Sequence, residues 1–222
     1  AKKLTAGQKQ AEFSCMRIKQ EKLWSAYNME KTENAVRSRL LEAGKEEFRD
    51  RGFLKASLRA ICKKADVTTG ALYFFFESKA ALFEEIVEET VEDLKRIMGD
   101  FTDQEKQLHP EEYDRILVEF IWENRDIAKI LIDGAEGTRY VNFREDACTK
   151  MEQILNERFQ KECGQEVDHE LVHILVQMKF QGYCELFRGN CSREKLLEIS
   201  RILQICSSQC LLAIEAELNR KH

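Results

Sequence analysis

Residues 57–82 read S-L-R-A-I-C-K-K-A-D-V-T-T-G-A-L-Y-F-F-F-E-S-K-A-A-L. The spacing predicts two short helices, a tight turn between them, and the start of a third helix. Ser57 is an N-cap candidate, because its hydroxyl can accept a first-turn N–H. Leu58, Ile61, Cys62 and Ala65 recur at helical spacing. Asp66-Val67 makes the turn and Thr68 caps again. Leu72, Tyr73 and Phe76 give the second helix one apolar side, and Ser78 caps a long helix carrying Leu82, Phe83 and Ile86. Helix, turn and short helix is the geometry that sets a recognition helix into a DNA major groove.

The preceding residues extend the pattern. Val36, Leu40, Leu41, Gly44 and Phe48 mark one helix face, closed by Gly52-Phe53, a C-cap glycine with its following hydrophobe. Over residues 34–90 the chain resembles the tetracycline-repressor-like (TetR) family of bacterial transcriptional regulators. The residues that carry the resemblance are Ile61-Cys62, Ala65-Asp66-Val67-Thr68, Gly70-Ala71-Leu72-Tyr73, Phe74-Phe75-Phe76 and Ser78-Lys79-Ala80-Ala81-Leu82. Two positions depart from the family pattern. Asp66 stands where the turn glycine is usual, and Asp tolerates the left-handed conformation better than most residues. Phe74 stands where His or Tyr is frequent, which removes a polar group near the phosphates.

Charged residues make up 34% of the chain, there is one proline, Pro110, and strand-like alternation is scarce. These features point to long helices, an all-α fold, and one large core or two small ones. Residues 1–83 hold 17 Lys and Arg against 10 Asp and Glu, whereas the remainder holds 18 against 30. A basic head on an acidic body suits a chain whose head meets phosphates. No apolar run approaches membrane-spanning length and no apolar leader opens the chain, so a cytoplasmic protein without a membrane partner is expected. The eight cysteines are expected reduced.

Residues 1–33 are basic, with Phe13, Met16, Ile18, Leu23 and Trp24 forming no clean stripe. They read as an extension or a loosely docked helix, with a minor-groove arm as the alternative. The helix from Ser78 runs to about Met98, and its outer acidic residues Glu84, Glu85, Glu88, Glu89 and Glu92 read as a solvated face. Further helices are expected from Pro110, at 124–135, from Phe143 to near Gly164, over Leu171–Phe187, and from Ser192 onward. The last carries Leu196, Ile199, Leu203, Cys206 and Cys210, and a second stripe of Ile202, Ile205 and Leu212. Two final helices with such broad apolar faces form a pairing surface. The expected organisation is an extension over 1–33, a three-helix DNA-binding domain over 34–83, and a helical effector-binding and dimerisation domain over 84–222.

The recognition helix offers Thr69 for a base edge or phosphate, Gly70 for close approach, and Ala71 for a thymine methyl. The resemblance adds phosphate contacts at Tyr73 and Lys79, with Ser57, Arg59, Thr68 and Phe74 completing the DNA-facing set. It also implies a homodimer joined through Ile199, Leu203, Cys206 and Cys210. Phe120, Trp122, Phe143, Met151, Met178 and Tyr183 lie on the helices that enclose the family's effector pocket, and their size permits a small apolar or amphipathic effector. Cys163, His169 and His173 lack a fourth ligand, so neither metal nor cofactor is assigned. No nucleophile, carboxylate pair or phosphate loop has catalytic spacing, which excludes an enzyme. The resulting expectation is a ligand-responsive repressor on a palindromic operator. The alternative is a protein of the same fold that tethers a partner to DNA without an effector.

Overall fold

A computed structural model describes the backbone of residues 6–102, 110–164, 167–189 and 191–220. Among these residues the chain forms helices only: α1 (Ala6–Lys55), α2 (Leu58–Ala65), α3 (Thr69–Phe75), α4 (Lys79–Thr102), α5 (Pro110–Glu123), α6 (Arg125–Asp133), α7 (Phe143–Cys163), α8 (His169–Arg188) and α9 (Arg193–Arg220). The order and bounds agree with the apolar periodicity, and Pro110 takes the first helical position, where its missing N–H costs nothing.

One difference is the length of α1. Residues 6–33 are not separate from the head but continue its first helix, whose helical run reaches Gly52. Residues 1–5, and the side chains of Phe13, Met16, Ile18, Leu23 and Trp24, lie outside the described residues. At Gly52 the backbone turns to φ 70, ψ 165, a region open essentially to glycine alone.

The head is built on phenylalanine. Phe48, Phe53 and Phe83 meet pairwise at 5.1–6.0 Å between ring centroids, with Phe83 edge-on to both others. Leu40, Ile61, Leu72, Phe76 and Leu82 close the core around them. Gly44 permits the approach of α4 to α1, because a Cβ there would lie 2.9 Å from Ile86 Cδ1. The same core takes in Ile130 and Leu131 from α6 and Ala135 just after it, so head and body share one apolar interior.

Two joints hold the head to the body. One is α4 itself. The other is a backbone contact at the ends of α1 and α6: Phe53 N–H donates to Gly134 O at 2.8 Å. A Cβ on Gly134 would meet Gly52 Cα at 3.2 Å, and one on Gly52 would meet Gly134 Cα at 3.4 Å. Arg49 with Asp126 supports this joint from the side. Arg188, at the end of α8, grips both carboxylate oxygens of Asp133, at 2.9 and 2.5 Å. The acidic face of α4 is correspondingly not all solvated. Glu84 and Glu88 bind Arg139 of the α6–α7 loop, and Glu85 binds Arg37.

In the body, α5, α7 and α8 pack around α9. A polar network is buried there. Asp114 receives the Tyr183 hydroxyl at 2.6 Å and the Lys179 ammonium at 3.2 Å, and Lys179 also donates to Gln204 at 3.0 Å. Burial, then the Asp114 charge, pushes the Tyr183 phenol well above its ordinary pKa.

Candidate nucleic-acid interface

The helix-turn-helix is fixed by caps. Ser57 is extended, and its Oγ accepts the Ala60 N–H at 3.4 Å while its own N–H donates to Glu47. The turn passes through Asp66 at φ 52, ψ 54, the only non-glycine residue at positive φ among those described. Its N–H closes onto the carbonyls of Cys62 and Lys63, which ends α2. Thr68 Oγ1 then accepts the Ala71 N–H at 3.1 Å and starts α3. Ser78 Oγ caps α4 by accepting the Ala81 N–H at 3.1 Å.

This turn chemistry sets the phase of α3. Leu72 and Phe76 go inward and Phe75 packs on the core. Thr69, Gly70, Tyr73 and Phe74 stand outward, with Ala71 at the margin. Tyr73 is 53% exposed and Phe74 71%. Gly70 is not demanded by the fold: a Cβ there would meet only Thr68 Oγ1, at 3.8 Å, and its φ is ordinary. Arg59 and Lys63 are exposed on α2. Ser57 and Thr68 keep their hydroxyl protons for an outside acceptor, because both oxygens act as cap acceptors.

Lys79 occupies a different place from the one the resemblance implies. Its ammonium donates to the carbonyl oxygens of Phe53 at 2.7 Å, Ala56 at 3.1 Å and Leu54 at 3.3 Å. It also sits 4.6 Å from the centre of the Phe53 ring. All three N–H donors are engaged on carbonyls at the C-terminal end of α1, so in the free protein Lys79 ties α4 to α1.

The residues assigned to an effector pocket have different surroundings. Met178 is 69% exposed and shares an open face of α8 with Ile174, because Val172 and Val176 take the inward phase. Phe143 packs against the core that includes α6, Trp122 lies under Arg125, and Tyr183 is tied to Asp114. Phe120 and Met151 are half-buried. The residues expected at a dimer interface differ in exposure. Ile199 and Leu203 are only half-exposed, while Cys206 and Cys210 are exposed. The exposed large apolar residues of α9 are Ile202, Ile205 and Leu212, the second stripe. Residues 193–217 are long and apolar enough to cross a membrane by length and composition, contrary to expectation. The Cys163 side chain lies outside the described residues. His173 pairs with Glu152 at 2.7 Å, and no cluster of metal-ligating side chains occurs among the described residues.

Two features escaped the sequence reading. The Asp114 network had a signal: Asp114 falls in phase with Val118, and Ser200 and Gln204 fall in phase with Leu196, so polar residues occupied inward positions. The Gly52–Gly134 contact had none, since two glycines far apart do not announce that they meet.

Residues 40–86 match the family model described as bacterial regulatory proteins, tetR family. The HTH-type transcriptional regulator UidR of Escherichia coli (strain K12) is 35% identical over 86 residues, 39% of this chain and 42% of that protein. An uncharacterized HTH-type transcriptional regulator of Bacillus subtilis (strain 168), YdgC, is 33% identical over 101 residues, 42% of this chain and 51% of that one. The chain thus spans about half the length of the curated relatives it matches. Among solved structures, a regulator of the TerR/AcrR family from Aquifex aeolicus VF5 superposes with a TM-score of 0.55 at 23% identity, covering 75% of this chain and 95% of that one. A TetR family regulator from Chloroflexus aurantiacus gives 0.54 at 18%, covering 84% and 92%. Residues 40–86 of this chain thus carry the helix-turn-helix of the tetR family model, and the described residues share the all-helical fold of these solved regulators.

Proposed function

We propose that this chain is a sequence-specific DNA-binding regulator of transcription, working as a homodimer in the bacterial cytoplasm and repressing until a small effector releases it from DNA. The observation that carries the reading is the outward face of α3. Thr69, Gly70, Tyr73 and Phe74 are set outward by two caps and a left-handed turn, and two large rings, Tyr73 and Phe74, are left exposed there. The basic head supports the same reading. The proposed contact set is Ser57, Arg59, Thr68, Thr69, Gly70, Ala71, Tyr73 and Phe74, with Lys79 positioning α4 rather than touching phosphate. The open stripes on α8 and α9 support a dimer, whose two heads would meet successive major grooves of a palindrome about 34–36 Å apart.

An effector would act by favouring another head spacing. Both α4 and the Gly52–Gly134 joint can carry that change, and Arg188 with Asp133 connects the joint to α8. A coupling of about 1–3 kcal/mol gives a 5–150-fold loss of DNA affinity. The exposure of Met178 favours the second reading, a DNA-bound tether without an effector. Selection of bound duplexes from a genomic pool tests the shared claim: one recurring palindrome is expected, and retention of all sequences alike contradicts it. Titrating that palindrome with and without a small molecule shown to bind the chain separates the two readings, since equal affinities favour the tether.

A further inference from the structure

Phe74 is the most exposed large apolar side chain among the described residues. Its one aromatic neighbour is Phe75, edge-on at 4.9 Å and 89°. Phe75 in turn lies against Phe76, which is 2% exposed. The outer ring is therefore propped on the core and held away from it. One turn back on the same face is Gly70, and one turn back at the margin is Ala71. Beyond its chain neighbours and the helix backbone, a Cβ on Gly70 would have only the Thr68 hydroxyl within 4 Å, at 3.8 Å, so the Phe74 ring does not fill that space. Helical side chains lean toward the N-terminus, which sets the ring along the rim of this bare backbone. The result is a shallow notch with an aromatic wall and a methyl from Ala71, opening on the outward face of the recognition helix.

We infer that this notch is a specificity-determining element that receives the C5-methyl of a thymine, with Phe74 as its wall; the inference rests on the DNA-binding reading above. Phe has no donor for a phosphate oxygen. In the major groove the base edges present nitrogen and oxygen acceptors and amino donors, and the thymine methyl is the apolar group there. A pyrimidine methyl also matches the space that Gly70 leaves open.

The test uses the full-length chain and the duplex selected by it. Each thymine is replaced in turn by deoxyuridine, which removes only the methyl, and binding is followed by fluorescence anisotropy. One thymine per half-site is expected to matter. Its replacement should weaken binding by about fourfold in one half-site and about 15-fold in both, the transfer of one methyl group each. Phe74→Ala should bind the thymine and uracil duplexes equally at that position, with an unchanged thermal melt because the ring is exposed. Phe74→Leu should keep part of the discrimination. The inference is overturned if the wild type tolerates every uracil or if Phe74→Ala still discriminates. It is also overturned if Phe74→Ala weakens both duplexes equally, which would place the ring on a deoxyribose. Failure to bind any duplex would bring it down together with the DNA-binding reading; sequence-specific binding blind to uracil brings down this inference alone.

Discussion

Replacing Lys79 by Ala removes one ammonium that serves three carbonyl oxygens and rests on the Phe53 ring. A hydrogen bond to a charged group contributes about 1.5–3 kcal/mol. The three bonds share one charge, so they do not add, but their loss leaves the part-buried carbonyls of Phe53 and Ala56 without this donor. The expected cost is about 2–4 kcal/mol, and at about 2–4 °C per kcal/mol for a chain of this length the melting temperature should fall by roughly 4–16 °C. Lys79→Met, which keeps the stem over Phe53, should be less damaging than Ala but still destabilised. Lys79→Arg should not restore stability, because a planar guanidinium cannot aim three protons at one cluster of carbonyls. Urea unfolding followed by circular dichroism measures the loss, and DNA binding is compared at a temperature where each variant is folded. The salt dependence of binding should keep its slope. An unchanged unfolding midpoint, together with a slope flattened by about one unit, would refute this reasoning and return Lys79 to the phosphates.

Ile205→Glu places a charge in the open stripe of α9 and should give monomers by analytical ultracentrifugation; Leu203→Glu, at a half-covered position, should damage folding as well. A wild type already monomeric at micromolar concentration would contradict the pairing surface. Gly52→Ala must adopt φ 70 with its Cβ 3.4 Å from Gly134 Cα, and should cost about 1–3 kcal/mol in denaturant unfolding. An unchanged midpoint would mean that the α1–α6 joint yields freely. Alkali gives a third check. Burial pushes the Tyr113 phenol up to about 12, and the Tyr183 phenol is raised as well. Above pH 10 the unfolded chain loses these protons while the folded chain keeps them. Stability should therefore be intact below pH 10 and fall by about 1.4 kcal/mol per pH unit for each tyrosine as pH rises toward 12. Tyr183→Phe should reduce that slope, and an equal slope in the variant would contradict the assignment.

The head was legible because its determinants are local. Ser57, Thr68 and Ser78 cap within three residues, Asp66 turns the chain on its own φ, and Leu72 with Phe76 sets the phase of α3. What stayed illegible depends on partners distant in sequence. The choice of Lys79 between phosphate and the end of α1 is decided by carbonyls more than 20 residues away. Met178 was assigned to the pocket by size, but the phase of α8 carries it outward with Ile174. The acidic run on α4 looked solvated until Arg139 and Arg37 were seen across it. On α9 both stripes are apolar, and only the packing of α5, α7 and α8 against it decides that Ile202, Ile205 and Leu212 are the open ones.

The central claim is that two copies of this chain read one palindrome through α3. The direct measurement is the stoichiometry and affinity of the chain on its selected duplex, by ultracentrifugation and anisotropy, with the intact palindrome and with one half-site scrambled. The account predicts two chains per palindrome, affinity falling steeply with salt, and a large loss when one half-site is scrambled. It also predicts that Thr69→Ala changes which sequence is preferred. One chain per duplex, or equal affinity for palindrome, half-site and unrelated DNA, would contradict it.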